Sequence, residues 1–249
     1  MANLWKRKSN DMDNYRIILI KFIIQVVVVI TFIILQLTLS YTTHFFYLQH
    51  TIPTIFIFLM AYLAYNNLKR IYYSKDMLKG RKITETALSQ LSKENIILFD
   101  IEFRVLYLKS KIDYLIISPY GIFNIAASYM SGIASLDNKL NIIIYTPDKK
   151  NIKPMLQSRA KKNQENLLKL FEKFFEKEKI PPIYNLIVLA NADKSFSESE
   201  TEMPILDPKE IVLKIREMQK EKIYTEDECK KIARILLNQD EQFHYKRMG

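Results

Sequence analysis

Asp113 is the first residue whose type and setting point to chemistry. It stands just ahead of a short apolar run, Tyr114 to Ile117, and a second run follows from Ile122 to Ile125. Both are rich in β-branched and aromatic residues and read as strands. Between them, Ser118-Pro119-Tyr120-Gly121 reads as a β-turn. Pro119 presets φ at the second position, Ser118 can bond back to the backbone, and Gly121 suits the fourth position. With Ser118 facing Gly121, position 126 falls opposite Asp113. Positions 126 and 128 then share a face, because side chains alternate along a strand. A carboxylate at 113 with a second acid opposite would hold a hard divalent cation, which prefers oxygen ligands. Such a cation activates water and stabilises phosphate charge, and a nearby lysine assists. The residues at the two opposite positions are Ala126 and Ser128.

This layout is the one in which the PD-(D/E)xK nuclease arrangement places its chemistry. The stretch resembles the nuclease-related domain (NERD) family, whose core reads roughly Ile-Asp-His, an apolar strand, Ser-Pro-x-Gly-Ile-Phe-x-Ile, then Glu-x-Lys. Ile112-Asp113, Ser118-Pro119-Tyr120-Gly121-Ile122-Phe123 and Ile125 match. The Glu and Lys positions are Ala126 and Ser128, and no Glu-x-Lys occurs between Asn124 and Leu140. Gly80 followed by Glu85 resembles the family's Gly-x-x-Gly-Glu opening, with Thr84 for its second glycine. Gly132 sits where the family has a glycine shortly after its lysine. Pro154-Met155-Leu156-Gln157 resembles Asn-Pro-x-x-Gln, with Lys153 for the asparagine. The resemblance covers about 80 to 190. It implies family catalytic positions at Asp113, Glu85 and Gln157, and, if the centre is active, Mg²⁺ or Mn²⁺ on Asp113 and Glu85. It also implies a restriction-endonuclease-like fold.

Composition narrows the alternatives. Cys229, the single cysteine, excludes an internal disulfide framework and a cysteine metal cluster, and reads as a small buried residue in a reducing compartment. Only four glycines are present and no Walker-type or dinucleotide fingerprint occurs. The net charge is +10, but residues 1–75 carry eight basic against two acidic residues, and the rest 29 against 25. The excess belongs mostly to the apolar N-terminal segment, so it argues only weakly for a phosphate partner.

Phe22 to Leu39 is a charge-free run of 18 residues, long enough with its flanks to span a bilayer. A second apolar run goes from Phe45 to Tyr65, with His50 and Pro53 in its first half. Aromatic residues collect at its two ends, as at bilayer interfaces. Lys6, Arg7 and Lys8 precede the first run, and Lys69, Arg70, Lys75, Lys79, Arg81 and Lys82 follow the second, whereas Ser40 to His44 has no basic residue. Both termini are therefore expected in the cytoplasm, in a multi-pass membrane protein with two spans. The basic run from Lys69 to Lys82 is expected to meet anionic headgroups. His44 and His50 read as interfacial residues rather than metal ligands.

The remaining elements must position the site. Ile83, Ala87, Leu88 and Leu91 form a helical stripe, with Glu85 off it. Ile96 to Leu108 reads as one half-buried strand, Leu140 to Tyr145 as another, and Ser131-Gly132 as a turn. Pro154 to Phe175 reads as a helix burying Leu156, Ala160, Leu167, Phe171, Phe174 and Phe175. Its lysines, Lys161, Lys162, Lys169, Lys173 and Lys177, read as a solvated face rather than a phosphate row. Ile183 to Ala190 fits a strand covered on both faces, and Asn191 to Pro204 a mobile polar loop. Asp207 is placed to cap one helix and Thr225 with Glu228 another. The tail with His244 reads as frayed.

The expected architecture is an α/β domain with a restriction-endonuclease-like mixed sheet and flanking helices, preceded by a two-helix transmembrane hairpin. The divisions are a cytoplasmic N-terminus (1–14), two transmembrane helices (15–68), a basic juxtamembrane helix (69–80), a NERD-like domain (81–190), and a polar loop with C-terminal helices (191–249). Three functions follow. In the first, the nuclease centre is degenerate and the protein binds or scaffolds, with nucleic acid as a partner. In the second, it is an active metal-dependent nuclease with relocated ligands: Glu85, Asp100 or Glu102 as second acid, and Lys111 or Lys82 as the cation. In the third, it is a membrane-bound interaction module whose loop at 191–204 recruits a protein partner.

Overall fold

The turn at Ser118 forms as its residues require, and the sheet grows from it. The computed structural model describes residues 3–7, 11–42, 48–105, 108–147, 151–176, 180–197, 201–238 and 245–248. Strands β3 (Leu108–Ser118) and β4 (Gly121–Leu136) pair antiparallel, with Ser118 opposite Gly121 and Tyr114 opposite Ile125. This is the register anticipated from the turn. β2 (Ile96–Val105) pairs antiparallel with the other edge of β3. β7 (Ile183–Lys194) runs parallel to β4 along nearly its whole length, from Ile122 opposite Ile183 to Ala134 opposite Lys194. β5 (Ile142–Tyr145) pairs antiparallel with the far half of β4, and β6 (Asn151–Ile152) with β5. β8 (Ile205–Leu206) lies parallel to β7. β1 (Asn3–Arg7) pairs parallel with β2, and β9 (Tyr245–Met248) antiparallel with β1. The result is a mixed sheet.

Helices cover both faces. α3 (Leu156–Phe171) and α5 (Glu226–Asn238) bury Leu167, Leu170, Phe171, Cys229, Ile232 and Leu236 against Leu98, Ile101, Ile112 and Leu115. The end of α2 (Leu48–Leu88), with Leu91 beyond it, and α4 (Ile211–Met218) cover Ile97, Phe99, Tyr114, Ile116, Phe123 and Ile125 on the other side. β7 lies between layers: Leu186 and Val188 face the α2/α4 side, and Ile187 and Leu189 pack with Leu156 and Ala160 of α3. That is the two-faced burial its unbroken apolar run implies. Thr225 and Glu228 form the expected reciprocal box: the Thr225 N–H donates to Glu228 at 2.8 Å and the Glu228 N–H to the Thr225 hydroxyl at 3.3 Å.

Several expectations are corrected. The strand read from Ile96 to Leu108 ends at Val105, and its alternation breaks at Asp100, whose φ is +51°. Phe99 therefore packs on the α2/α4 side while Ile101 and Phe103 pack on the α3/α5 side. Ser131-Gly132 lies inside β4, not in a turn: Ser131 stands opposite Asn191 and Gly132 opposite Ala192, and the register along β7 shifts just before them, between Ser128 and Ser131. α3 begins at Leu156, after Met155 in a left-handed conformation, and Phe174 beyond its end is 46% exposed. The buried stripe of α2 runs through Gly80, Thr84 and Leu88, leaving Ile83 exposed. β7 continues to Lys194, so the loop is shorter than anticipated, and Met203 within it is buried. α4 starts at Ile211, with Asp207 in the preceding turn; the Asp207 N–H donates to Glu210 at 2.7 Å. Both tails contain strands. His44, His244, Lys177 and the side chain of His50 lie outside the described residues.

By contacts the chain divides into two units, residues 1–9 with 77–249, and residues 10–76. In the smaller unit, α1 (Asp11–Thr42) meets α2 through Phe32 on Phe56 at 4.6 Å between ring centres. Gln36 donates to Thr54 at 3.1 Å, and Asn67 to Gln25 at 2.7 Å. Among the described residues, one helix segment, Asn14–Thr38, is long and apolar enough to cross a membrane. The second anticipated span begins with 45–47, which lie outside the described residues.

Gly132 has φ +144°, and a Cβ there would stand 2.2 Å from the Tyr145 carbonyl oxygen. Gly132→Ala is expected to cost at least about 2 kcal/mol, from backbone strain and forced displacement of β5. Urea unfolding of the detergent-solubilised chain measures this; an unchanged midpoint would refute the close approach of Gly132 to β5.

Candidate functional site

The site lies where β4 changes partners. β7 occupies one edge of β4, so β3 and β5 share the other. Pairing with β3 ends at Tyr114 opposite Ile125, and pairing with β5 begins at Ile133 opposite Tyr145. The backbone between them lacks a strand partner on that edge. The Asp113 side chain fills the opening: its Oδ2 accepts the Ala127 N–H at 2.7 Å. Arg159 of α3 donates from Nη2 to the same oxygen at 2.5 Å and to the Ala127 carbonyl at 3.2 Å. The Asp113 side chain is 11% exposed and that of Arg159 36%.

A second ion-pair group comes from α2. Arg81 donates from Nε to Glu85 at 2.8 Å and from Nη2 to Asp100. The left-handed backbone at Asp100 interrupts the β2 alternation at that carboxylate. Burial works against the Arg81 charge, and Asp100 and Glu85 outweigh it. The two groups feel each other: the Asp100 charge helps to raise Asp113. Between the layers the Tyr114 and Tyr129 hydroxyls meet at 2.5 Å, and burial pushes both phenols far up.

Of the residues singled out from sequence, Asp113 and Glu85 both belong to this cluster. Gln157 does not: its amide is exposed and donates to the Leu140 carbonyl at 2.9 Å, beside β5. Ala126 is buried with Leu156, Ala160 and Ile187. Ser128 is buried, and its hydroxyl accepts the Met130 N–H at 3.4 Å. Glu102 stands opposite Lys111 in the β2–β3 register. The Lys111 charge favours ionised Asp113, and Lys82 is exposed. Arg70, Lys75 and Lys79 are also exposed, and Lys69 lies over the Tyr65 ring at 5.1 Å. Arg81, grouped with these as a lipid contact, instead has its guanidinium 11% exposed between two carboxylates.

The residues present do not fit the Mg²⁺ or Mn²⁺ that the resemblance implies. Among the described residues no three His, Cys, Asp or Glu side chains converge to hold a metal. Glu85, Asp100 and Asp113 each already meet a guanidinium. A hard cation of this kind needs carboxylate oxygens open to it.

Residues 78–190 match the family model of the nuclease-related domain. The match takes in somewhat less than half of the chain. Neither a curated protein nor a solved structure matches the chain. The matched segment takes in the end of α2, β2 to β7 in part, and α3, so all five charged residues of the cluster lie within it. Gly80 allows its close packing: a Cβ there would stand 2.6 Å from the Asn191 amide nitrogen, which donates to the Tyr129 carbonyl at 2.8 Å.

Arg159 and Tyr129 escaped the sequence reading. Arg159 carried a signal. It lies three residues after Leu156 and four before Asn163, both buried, which places it at the inner edge of its helix. Arg81 carried one too, three residues before buried Thr84.

Burial raises the Asp113 carboxyl above the usual carboxylate range, opposed by Arg159 and the Ala127 N–H. The folded chain therefore holds this proton to higher pH than the unfolded chain does. Stability attributable to Asp113 falls as pH rises through the window above the unfolded value. Asp113→Asn removes the titration and is expected to flatten that slope above about pH 4, the unfolded value. Urea midpoints across the range measure it; parallel curves for the two proteins would contradict the assignment.

Proposed function

We propose that this is a membrane-anchored nuclease-related protein, facing the cytosol, that binds nucleic acid without cleaving it. The observation that carries the reading is the packing at Ala126 and Ser128. Both are buried where a second carboxylate and a lysine would stand, and Asp113 opposite is tied to Arg159. What remains can position and neutralise charge but has no group placed to activate water. The match to the nuclease-related domain supports nucleic acid as the ligand class, and the filled positions at Ala126 and Ser128 support binding rather than turnover.

The membrane part of the reading rests on exposed apolar surface and topology. Ile34 and Leu37 of α1 are each 57% exposed, and Phe58 of α2 is 72% exposed. Large apolar surfaces of this kind call for a lipid or protein cover. β1 precedes α1, and β2 follows α2, yet they pair with Leu4 opposite Ile97. A chain that leaves and rejoins one sheet crosses a bilayer an even number of times, which favours two spans. The basic residues flanking both ends favour the cytosolic side. Arg70, Lys75, Lys79 and Lys82 remain the contacts for anionic headgroups, each worth about 1 kcal/mol there.

Cleavage is best tested on the whole chain in detergent, because removing the N-terminus would remove β1. With single- and double-stranded DNA and either Mg²⁺ or Mn²⁺, no cleavage is expected, while a gel shift is. Metal-dependent cleavage that disappears in Asp113→Asn would overturn the reading. Reporter fusions at each terminus test the topology; both are expected to report cytosol, and opposite sides would exclude the hairpin.

A further inference from the structure

We propose that Arg81 and Arg159 together supply the positive charge that a divalent cation would otherwise bring to the Glu85, Asp100 and Asp113 cluster, making the centre closed and metal-independent. This rests on the non-cleaving reading and goes further, since a degenerate centre could still bind metal.

The geometry is that of substitution rather than vacancy. Each guanidinium meets two acceptors, Arg81 at Glu85 and Asp100, and Arg159 at Asp113 and the Ala127 carbonyl. A planar fork suits two acceptors at once, which a lysine cannot reproduce. The two arginines come from different layers. α2 covers the face with Phe99 and Tyr114, and α3 the face with Ile112 and Leu115. They therefore bracket the opening between β3 and β4 from both sides. The four side chains Arg81, Glu85, Asp100 and Asp113 are each under one-fifth exposed. Charges so buried require partners, and the partners present are cations already. An entering Mn²⁺ would have to displace a guanidinium and then share the site with the other, with Lys111 also nearby.

The test uses the whole chain in detergent, with thermal melting in MnCl₂ and in EDTA, and with the free Mn²⁺ paramagnetic resonance signal titrated by protein. For the wild type, the melting midpoint is expected to be the same in both, and the free Mn²⁺ signal undiminished. Arg159→Ala is expected to melt roughly 5–10 °C lower and to recover part of that loss in Mn²⁺. Arg159→Ala combined with Asp113→Asn is expected to show no Mn²⁺ response. Mn²⁺ uptake by the wild type overturns the proposal without needing any variant to fold. A loss in Arg159→Ala that Mn²⁺ does not touch also overturns it. Mn²⁺ uptake without DNA cleavage would leave the proposed function standing; metal-dependent cleavage would end both.

Discussion

The structure of this site depends on one carboxylate receiving one backbone amide. β4 must change partners along a single edge because β7 holds the other. A strand that changes partners leaves unpaired groups between the two ladders, and a buried unpaired N–H costs about as much as a lost hydrogen bond. Asp113 closes that gap by accepting the Ala127 N–H. Its position is set by the turn at Ser118, whose register brings the start of β3 level with the middle of β4. Arg159 then follows, since a carboxylate so enclosed needs a cation.

The balance of forces there differs from that at the surface. For Asp113, burial is the largest influence and opposes charge, while Arg159 and the Ala127 N–H resist it. Removing one partner from such a pair costs more than the intact pair contributes, because a buried group is left uncompensated. Lys161 with Glu202, at 2.7 Å but 55% and 74% exposed, is a pair of the kind that contributes little. The Arg159–Asp113 pair thus lies where two strands part, beside a helix that otherwise contributes apolar packing. The opening is filled by the Asp113 carboxylate, and the Arg159 guanidinium closes over it.

Much of this was legible in sequence where the determinants are local. The β-turn fixed its own register, the apolar run of β7 declared two-faced burial, and Thr225 with Glu228 specified a helix start. The misreadings share a different cause. The reversal at Asp100 and the close approach at Gly132 depend on partners distant in sequence, Arg81 for one and Tyr145 of β5 for the other. Neither leaves a periodic trace. Arg81 was indistinguishable from its basic neighbours along the run to Lys82, and only the fold separates it by bringing Asp100 to it. Arg159 broke an otherwise apolar and amide stripe, a signal that a charge-blind count of buried positions passes over. The N-terminal strand was illegible because five residues carry too little pattern to announce a pairing with residues beyond two long helices.

That pairing alters how the chain is to be understood. Residues 10–76 do not precede the domain; they are inserted between its first two strands in chain order. Joining strands across so long an excursion carries a closure cost that grows only slowly with length, about 0.6 kcal/mol per doubling for a flexible loop. The two helices described within the excursion are joined to each other. The amide contact of Asn67 with Gln25 and that of Gln36 with Thr54 tie the two helices at two levels. The polar residues within the apolar helices thereby acquire a structural purpose. They fix the pairing of α1 with α2, and that pairing allows a five-residue strand to complete a sheet begun on the far side of the insertion.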